Sequence, residues 1–291
     1  MGSDRRRDVT AKDFDLSGVP RTLLMPLWGR AKATLANSSI LSDERAVELV
    51  SKLNVDFQRL DQSLHPLNDL ITVARERAVD DLVRAFIEAR PNATIVNLGA
   101  GLDTAFHRVD NGSLRWFDVD LPEVIEIRKQ LLPETDRSRC VSGSLLDPQW
   151  TAEIDPTSNG VFCFAKGVLV YLKKADLRKL LDILADAFPG SDLAFDLQSW
   201  MSVFFGNFAL RRAGMGSARL RLGARTARPI LKLHAALQLV EEFGSFAKFG
   251  AEVFSNEEQQ RTARTMDRLR ASTIVHAKFV RQADGAHWRS Q

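Results

Sequence analysis

From residue 94 onward the chain alternates short apolar runs with helical segments, and this rhythm limits what it can fold into. Thr94-Ile95-Val96-Asn97-Leu98 is rich in β-branched residues and stops at glycine, which predicts a first strand. Leu114-Arg115-Trp116-Phe117 predicts a second and Cys140-Val141 a short third. Val161-Phe162-Cys163-Phe164-Ala165 is continuously apolar, as a strand covered on both faces should be. Leu193-Ala194-Phe195-Asp196 and Leu237-Gln238-Leu239-Val240 supply a fifth and a sixth, and residues 273–280 alternate like a last strand. Helices are expected between them at 121–132, with Pro122 in the first turn, and at 174–188, stopped by Pro189-Gly190. Ser255 and Glu258 form a capping box for another that runs to about Leu269. Such alternation predicts an α/β sheet with helices on both faces, whose ligands lie beyond the carboxyl ends of the strands. Chemistry is therefore expected at 99–103, 118–120, 143–145 and 166–171.

The first ninety residues read instead as helices. Ala46-Val47-Glu48-Leu49-Val50 has helical spacing, and 73–88 carries Val79, Leu82, Val83, Phe86 and Ile87 before Pro91-Asn92 ends it. The expected organisation is a helical cap over 1–90 and an α/β domain over 91–291, with a helical lid inserted at about 198–235. An apolar fraction of 45% and a charged fraction of 26% fit an ordinary globular chain. No apolar run reaches the ~18–20 residues that would span a bilayer. Arg5-Arg6-Arg7 is not followed by an apolar stretch, so no secretory signal is expected and the cytoplasm is the default. Cys140 and Cys163 read as reduced thiols, and without neighbouring histidines they make no zinc site; no metal is expected.

Gly99-Ala100-Gly101-Leu102-Asp103-Thr104 begins at a strand end and leads into a helix, where glycine lets the backbone approach a ligand closely. The third glycine of the dinucleotide fingerprint is missing and Phe106 stands in its place, which argues against a pyrophosphate cofactor. Asp118 and Asp120 follow about twenty residues later, where an acid accepts hydrogen bonds from ribose hydroxyls. Glycine turn and acid together suit an adenosine-type cofactor, S-adenosylmethionine before NAD. The plainer alternative is an acid pair capping the helix at Leu121-Pro122. Between Asp196 and Glu241 there is no acidic residue, yet Arg211, Arg212, Arg219, Arg221, Arg225, Arg228 and Lys232 all fall there. This is either a solvated helix face or a basic lid that attracts an anionic small substrate. Trp200, Phe204, Phe205 and Phe208 precede the arginines rather than interleave with them, so neither nucleic acid nor a membrane is expected as partner.

Three stretches in order carry a resemblance: Ile95 to Thr104, Asp118-Val119-Asp120-Leu121-Pro122-Glu123-Val124, and Gly167-Val168-Leu169-Val170-Tyr171-Leu172. They resemble the leucine carboxyl methyltransferase superfamily, and within it the bacterial polyketide O-methyltransferases of the tetracenomycin type. Leu16 to Leu24, Trp28-Gly29-Arg30-Ala31 and Ala74-Arg75-Glu76-Arg77-Ala78-Val79-Asp80 are similar to that family's helical amino-terminal part. The resemblance implies a class I methyltransferase fold: a seven-stranded Rossmann-like sheet with its last strand antiparallel, under helical cap elements. It implies that Arg75 pairs with the cofactor's methionine carboxylate, as a bidentate guanidinium would. Gly99, Ala100 and Gly101 would pass under the methionine portion beside Asp103. Asp120, with Asp118, would hold the ribose. Arg30 would sit near cofactor or substrate carboxylate.

Two departures stand out. Ser144-Leu145 replaces the family's Asp-Leu pair near the adenine, and Lys166 replaces the glutamate before Gly167. An ammonium at 166 would pair with Asp103 or Asp120, or meet an anionic substrate. Tyr171, the only tyrosine, lies in the third motif, and Trp200, Phe204, Phe205 and Arg211 are candidates for the lid over the substrate. His65, His107 and His234 qualify as bases by residue type alone, so none is nominated. The expectation is S-adenosylmethionine-dependent O-methylation of a small acidic or phenolic metabolite. The alternatives are a divergent member that binds the cofactor without transfer and a non-enzymatic adenosine-ligand binder.

Overall fold

The computed structural model describes residues 20–62 and 66–280. The resembling stretch at 16–19, and His65, lie outside them. In chain order the elements are α1 (Leu24–Leu35), α2 (Glu44–Lys52), α3 (Phe57–Gln62), α4 (Pro66–Ala89), β1 (Thr94–Leu98), α5 (Ala105–Val109), β2 (Arg115–Asp120), α6 (Pro122–Leu131), β3 (Ser138–Ser142), β4 (Val161–Ala165), α7 (Lys174–Ala187), β5 (Asp192–Gln198), α8 (Trp200–Arg212), α9 (Arg228–Leu231), β6 (Leu237–Gly244), α10 (Glu257–Arg268) and β7 (Ser272–Phe279). The strands form one sheet in the order β3-β2-β1-β4-β5-β7-β6. β1 to β5 are parallel, and β7 runs antiparallel between β5 and β6.

Period two along β1 sends Val96 and Leu98 into one core layer and Ile95 into the other. Leu177, Leu180, Leu181 and Leu184 of α7 cover the first face. Val79, Val83 and Phe86 of α4 cover the second, packed with Trp116, Phe162 and Phe164. A third cluster joins α1 and α2 through Leu27, Ala31, Ala46 and Leu49 to Leu102 behind the glycine turn. The amino-terminal helices thus press directly on the loop at the end of β1.

α4 starts at Pro66, well before the expected 73, and α6, α7 and β7 differ by a residue at one or both ends; other elements depart further. β2, β3 and β5 continue past their apolar residues, because ladder pairing holds polar positions such as Asp118, Ser142 and Gln198. β6 extends to Gly244 past a bulge at 240 that breaks its alternation. α10 is capped by Asn256, not Ser255: the Gln259 N–H donates to Asn256 Oδ1 at 2.8 Å, while Gln259 Oε1 accepts from the Ser255 N–H at 2.8 Å. The cap has moved by one residue, and the expected box of Ser255 with Glu258 does not form. No helix among the described residues is long and apolar enough to cross a membrane.

Candidate functional site

A cavity of about 960 Å³ opens at the carboxyl ends of β1, β2, β4 and β5, and its floor is the turn after β1. Gly99 has φ +69°, and a Cβ there would lie 2.5 Å from Val168 Cγ2, so the third motif packs too closely for any side chain. The Gly99 and Ala100 N–H groups both donate to the Val119 carbonyl, at 2.8 and 3.1 Å. Asp120 seals the turn: Oδ2 accepts from the Gly101 N–H and Oδ1 from the Leu121 N–H, each at 2.7 Å. Burial pushes the Asp120 carboxyl up, against those two N–H groups.

Asp120 lines the cavity and Asp118 does not. This corrects the expectation that both face the ribose. Period two puts them on the same face of β2, but Asp118 lies one step deeper, under α6. It accepts from Trp116 Nε1 and Asn97 Nδ2, both at 2.9 Å, and pairs with Arg128 at 2.6 Å. Arg128 in turn donates to the Gly101 and Asp103 carbonyls at 3.0 and 2.7 Å. Asp118 therefore supports the turn from below.

The side of the cavity against α4 is a buried ion network. Arg108 is its hub, pairing with Asp43 at 2.7 Å, Asp80 at 2.6 Å, Glu76 at 3.3 Å and Asp103 at 3.7 Å. Arg30 pairs with Asp43 at 2.9 Å and donates to the Leu102 carbonyl at 2.7 Å. Lys166 pairs with Glu76 and, at 2.9 Å, with Asp103. Asp120 is not among its partners. Burial pushes the Asp103 carboxyl up, but Lys166 and Arg108 outweigh it and hold the group far below the usual carboxylate range. Arg30, Arg75, Arg108 and Lys166 face Asp43, Glu76, Asp80, Asp103 and Asp196, which leaves one carboxylate in excess.

Arg75 is held loosely for so buried a guanidinium. Nη1 is 3.5 Å from Asp196, Nη2 is 3.7 Å from Glu76, and Nε has no hydrogen-bond partner among the described residues. A buried donor left open calls for an explanation, and Arg75 faces the cavity. Asp196 is itself taken at 2.5 Å by the Gly167 N–H. Sequence reasoning missed Glu76 as a site residue, although it follows Arg75 directly, and Asp196, which lies two residues before the end of β5. Asp196 lies inside its strand and nothing in the sequence distinguished Glu76, so neither carried a signal.

The opposite half of the cavity is apolar, built by Met25, Val170, Leu220 and α8. On α8, Met201, Phe205, Phe208 and Arg212 recur at helical spacing and face inward. Trp200, Phe204 and Arg211 do not line this cavity, which corrects their expected place over the substrate. One residue along a helix is a turn of about 100°, so these three form the adjacent stripe. Trp200 and Phe204 instead edge a separate groove of about 750 Å³ with Arg219 and Arg221. Tyr171, Ser144, Leu145 and Arg30 all line the main cavity. Burial pushes the Tyr171 phenol up. Neither His107 nor His234 lines it; His234 lies 3.9 Å from Asp182 and packs edge-on against Phe279.

A seven-stranded sheet in this order, with one antiparallel strand, is the fold of the class I S-adenosylmethionine-dependent methyltransferases, and the glycine turn and the Asp120 carboxylate lie at its carboxyl edge. The chain belongs to the leucine carboxyl methyltransferase family, whose profile matches residues 23–185. It is 31% identical over 182 residues to the tetracenomycin polyketide synthesis O-methyltransferase TcmP of Streptomyces glaucescens, covering 62% of this chain and 66% of that one, just under two thirds of the relative's length. It is 27% identical over 215 residues to the S-adenosyl-L-methionine-dependent methyltransferase dpfgK of Gibberella zeae, covering 68% and 72%. The crystal structure of a DUF574 family protein from Streptomyces avermitilis shares the fold, with a TM-score of 0.56 at 16% identity over 86% of this chain and 96% of that one.

Proposed function

We propose that the chain transfers a methyl group from S-adenosylmethionine to an oxygen of a small, apolar, anionic acceptor, an aromatic carboxylate or an acidic phenol. The observation that carries this reading is the division of one cavity into a polar half, with Arg75, Asp120 and a surplus carboxylate, and an apolar half under Phe205 and Phe208. S-adenosylmethionine supplies an electrophilic methyl on a sulfonium and carries one net positive charge, which suits that surplus. Arg75 would take its carboxylate as a planar bidentate donor. Asp120 keeps lone pairs for ribose hydroxyls after accepting its two N–H groups. Ser144 and Leu145 would flank the adenine, with the Ser144 hydroxyl already accepting from the Leu146 N–H at 3.2 Å.

The acceptor half supplies position and dryness more than proton transfer. No described histidine lines it, and the buried Tyr171 phenol stays protonated at neutral pH, so neither takes a proton from the acceptor. An acceptor ionised in its own right needs no base, which is the reason for placing carboxylates and acidic phenols ahead of alcohols. Arg212, exposed at the end of α8, would draw such anions to the mouth.

Lys166 favours a second reading, in which the cofactor binds but transfer is lost. The ion pairs of Lys166 with Glu76 and Asp103 speak for the first, because they neutralise its charge within the protein. Calorimetry with S-adenosylhomocysteine tests binding: one equivalent is expected, and no heat at high micromolar ligand sinks both readings. Methyl transfer from labelled cofactor to a panel of aromatic acids and phenols then separates them.

A further inference from the structure

We infer that Glu76 receives the α-ammonium of the cofactor, and that Lys166 is the residue that holds it in place. The inference rests on the cofactor reading above and adds to it a residue in direct contact with the ligand. Glu76 is 2% exposed yet lines the cavity, and its two oxygens are used unequally. Oε2 accepts from Lys166 and, at 3.3 Å, from Arg108. Oε1 accepts no hydrogen bond among the described residues, and Arg75 Nη2 lies 3.7 Å from it. A carboxylate oxygen has room for two donors, and on this cavity-lining residue Oε1 keeps that room for a ligand.

Beside it stands the matching deficit of opposite sign. Arg75 Nε is buried without a partner and its Nη atoms make only long contacts. An open cation and an open anion 3.7 Å apart on one cavity wall complement one type of ligand group in particular. An α-amino acid carries its ammonium and its carboxylate on the same carbon, so its two partners must be neighbours. Residues 75 and 76 of α4 are such neighbours. Lys166 explains why a carboxylate can persist there: burial alone would push Glu76 up, and Lys166 leads the cations that hold it below its ordinary range. Lys166 also occupies Oε2, which turns the remaining capacity of Glu76 to Oε1. Here Lys166 is a positioning residue and Glu76 the binding one.

Calorimetry on the full chain tests this with three ligands: S-adenosylhomocysteine, its des-amino analogue and its decarboxylated analogue. The wild type should bind the des-amino analogue at least tenfold more weakly than S-adenosylhomocysteine. Glu76→Gln keeps the shape and should weaken S-adenosylhomocysteine at least tenfold, while changing the des-amino analogue less than twofold. The decarboxylated analogue, which keeps its ammonium, should lose as much as S-adenosylhomocysteine does. Glu76→Asp, which keeps the charge and shortens the reach, should fall between and guards against a fold defect in the amide variant. Equal wild-type affinity for the amino and des-amino ligands overturns the inference, as does a Glu76→Gln loss shared by the des-amino analogue. Failure of the wild type to bind S-adenosylhomocysteine removes the cofactor reading and this inference with it; the other two outcomes leave that reading standing.

Discussion

At one end of the cavity Arg75, Glu76, Asp103 and Lys166 are buried and tied to one another by charge, whereas at the other Met201, Phe205 and Phe208 of α8 are 49–60% exposed and held mainly by their own helix. The first end is built of charges, and its side chains are locked by one another and by partners on α5 and β5. The second is apolar area that, on the proposed reading, needs only to exclude water around an acceptor. A change at the first end should therefore cost folding and cofactor binding together. A change at the second should cost acceptor affinity alone.

The sharpest break of this contrast is Lys166→Glu. Three carboxylates would then meet at one buried point, and loss of a buried partner of this kind costs about 3–5 kcal/mol. A melting temperature lower by roughly 10 °C is expected in calorimetric scans. An unchanged melting temperature would mean that the network is not built on charge. Acid should act on the same end. Asp43, Glu76 and Asp103 are all held below their ordinary values of 3.8 to 4.5, so the stability they contribute is complete above that range and is lost as pH falls through and below it. Asp80 and Asp118, pushed up by burial, work in the opposite sense, which leaves the net drop to the first three. Melting scans at pH 7, 5 and 3 should show little change over the first step and a clear fall over the second.

Arg75→Met should weaken S-adenosylhomocysteine about 100-fold, the equivalent of ~2.7 kcal/mol for a charge-assisted bidentate contact. At the apolar end the expected losses are smaller. Phe205→Ser with Phe208→Ser should weaken an aromatic acid such as 2-naphthoate about fivefold to tenfold, with the melting temperature and S-adenosylhomocysteine binding unchanged, because both rings are already exposed. Arg212→Ala should cost that acid about twofold to threefold at low salt and less at high salt, and Arg211→Ala nothing, since Arg212 alone of the two lines the cavity. Equal effects of the two arginine variants would place the basic segment in long-range steering instead.

The runs of β1 and β4 predicted those strands to the residue, because both are buried throughout and turn residues bound them, Pro91-Asn92 and Gly99 for β1 and Gly160 for β4. Asp120, Gly99, Gly101 and Arg75, singled out in the sequence, all line the cavity at the strand ends. Asp118 was not distinguishable from Asp120: their spacing and type are the same, and only the approach of Arg128 from α6 decides which of them reaches the cavity. Trp200 and Phe204 were misplaced for a related reason. Composition marks α8 as aromatic, but the rotation of the helix about its axis selects 201, 205, 208 and 212 for the cavity.

By itself the sequence determined the order of strands and helices along the chain, the glycine turn after β1 and the family, since each depends on a residue and its near neighbours along the chain. Tertiary structure decided the partners of each charge. Lys166, read in isolation, reverses a charge beside the cofactor; in the fold, ninety residues of chain bring Glu76 to its ammonium. A charge has meaning only against the charges around it, and these arrive from elements far apart in sequence.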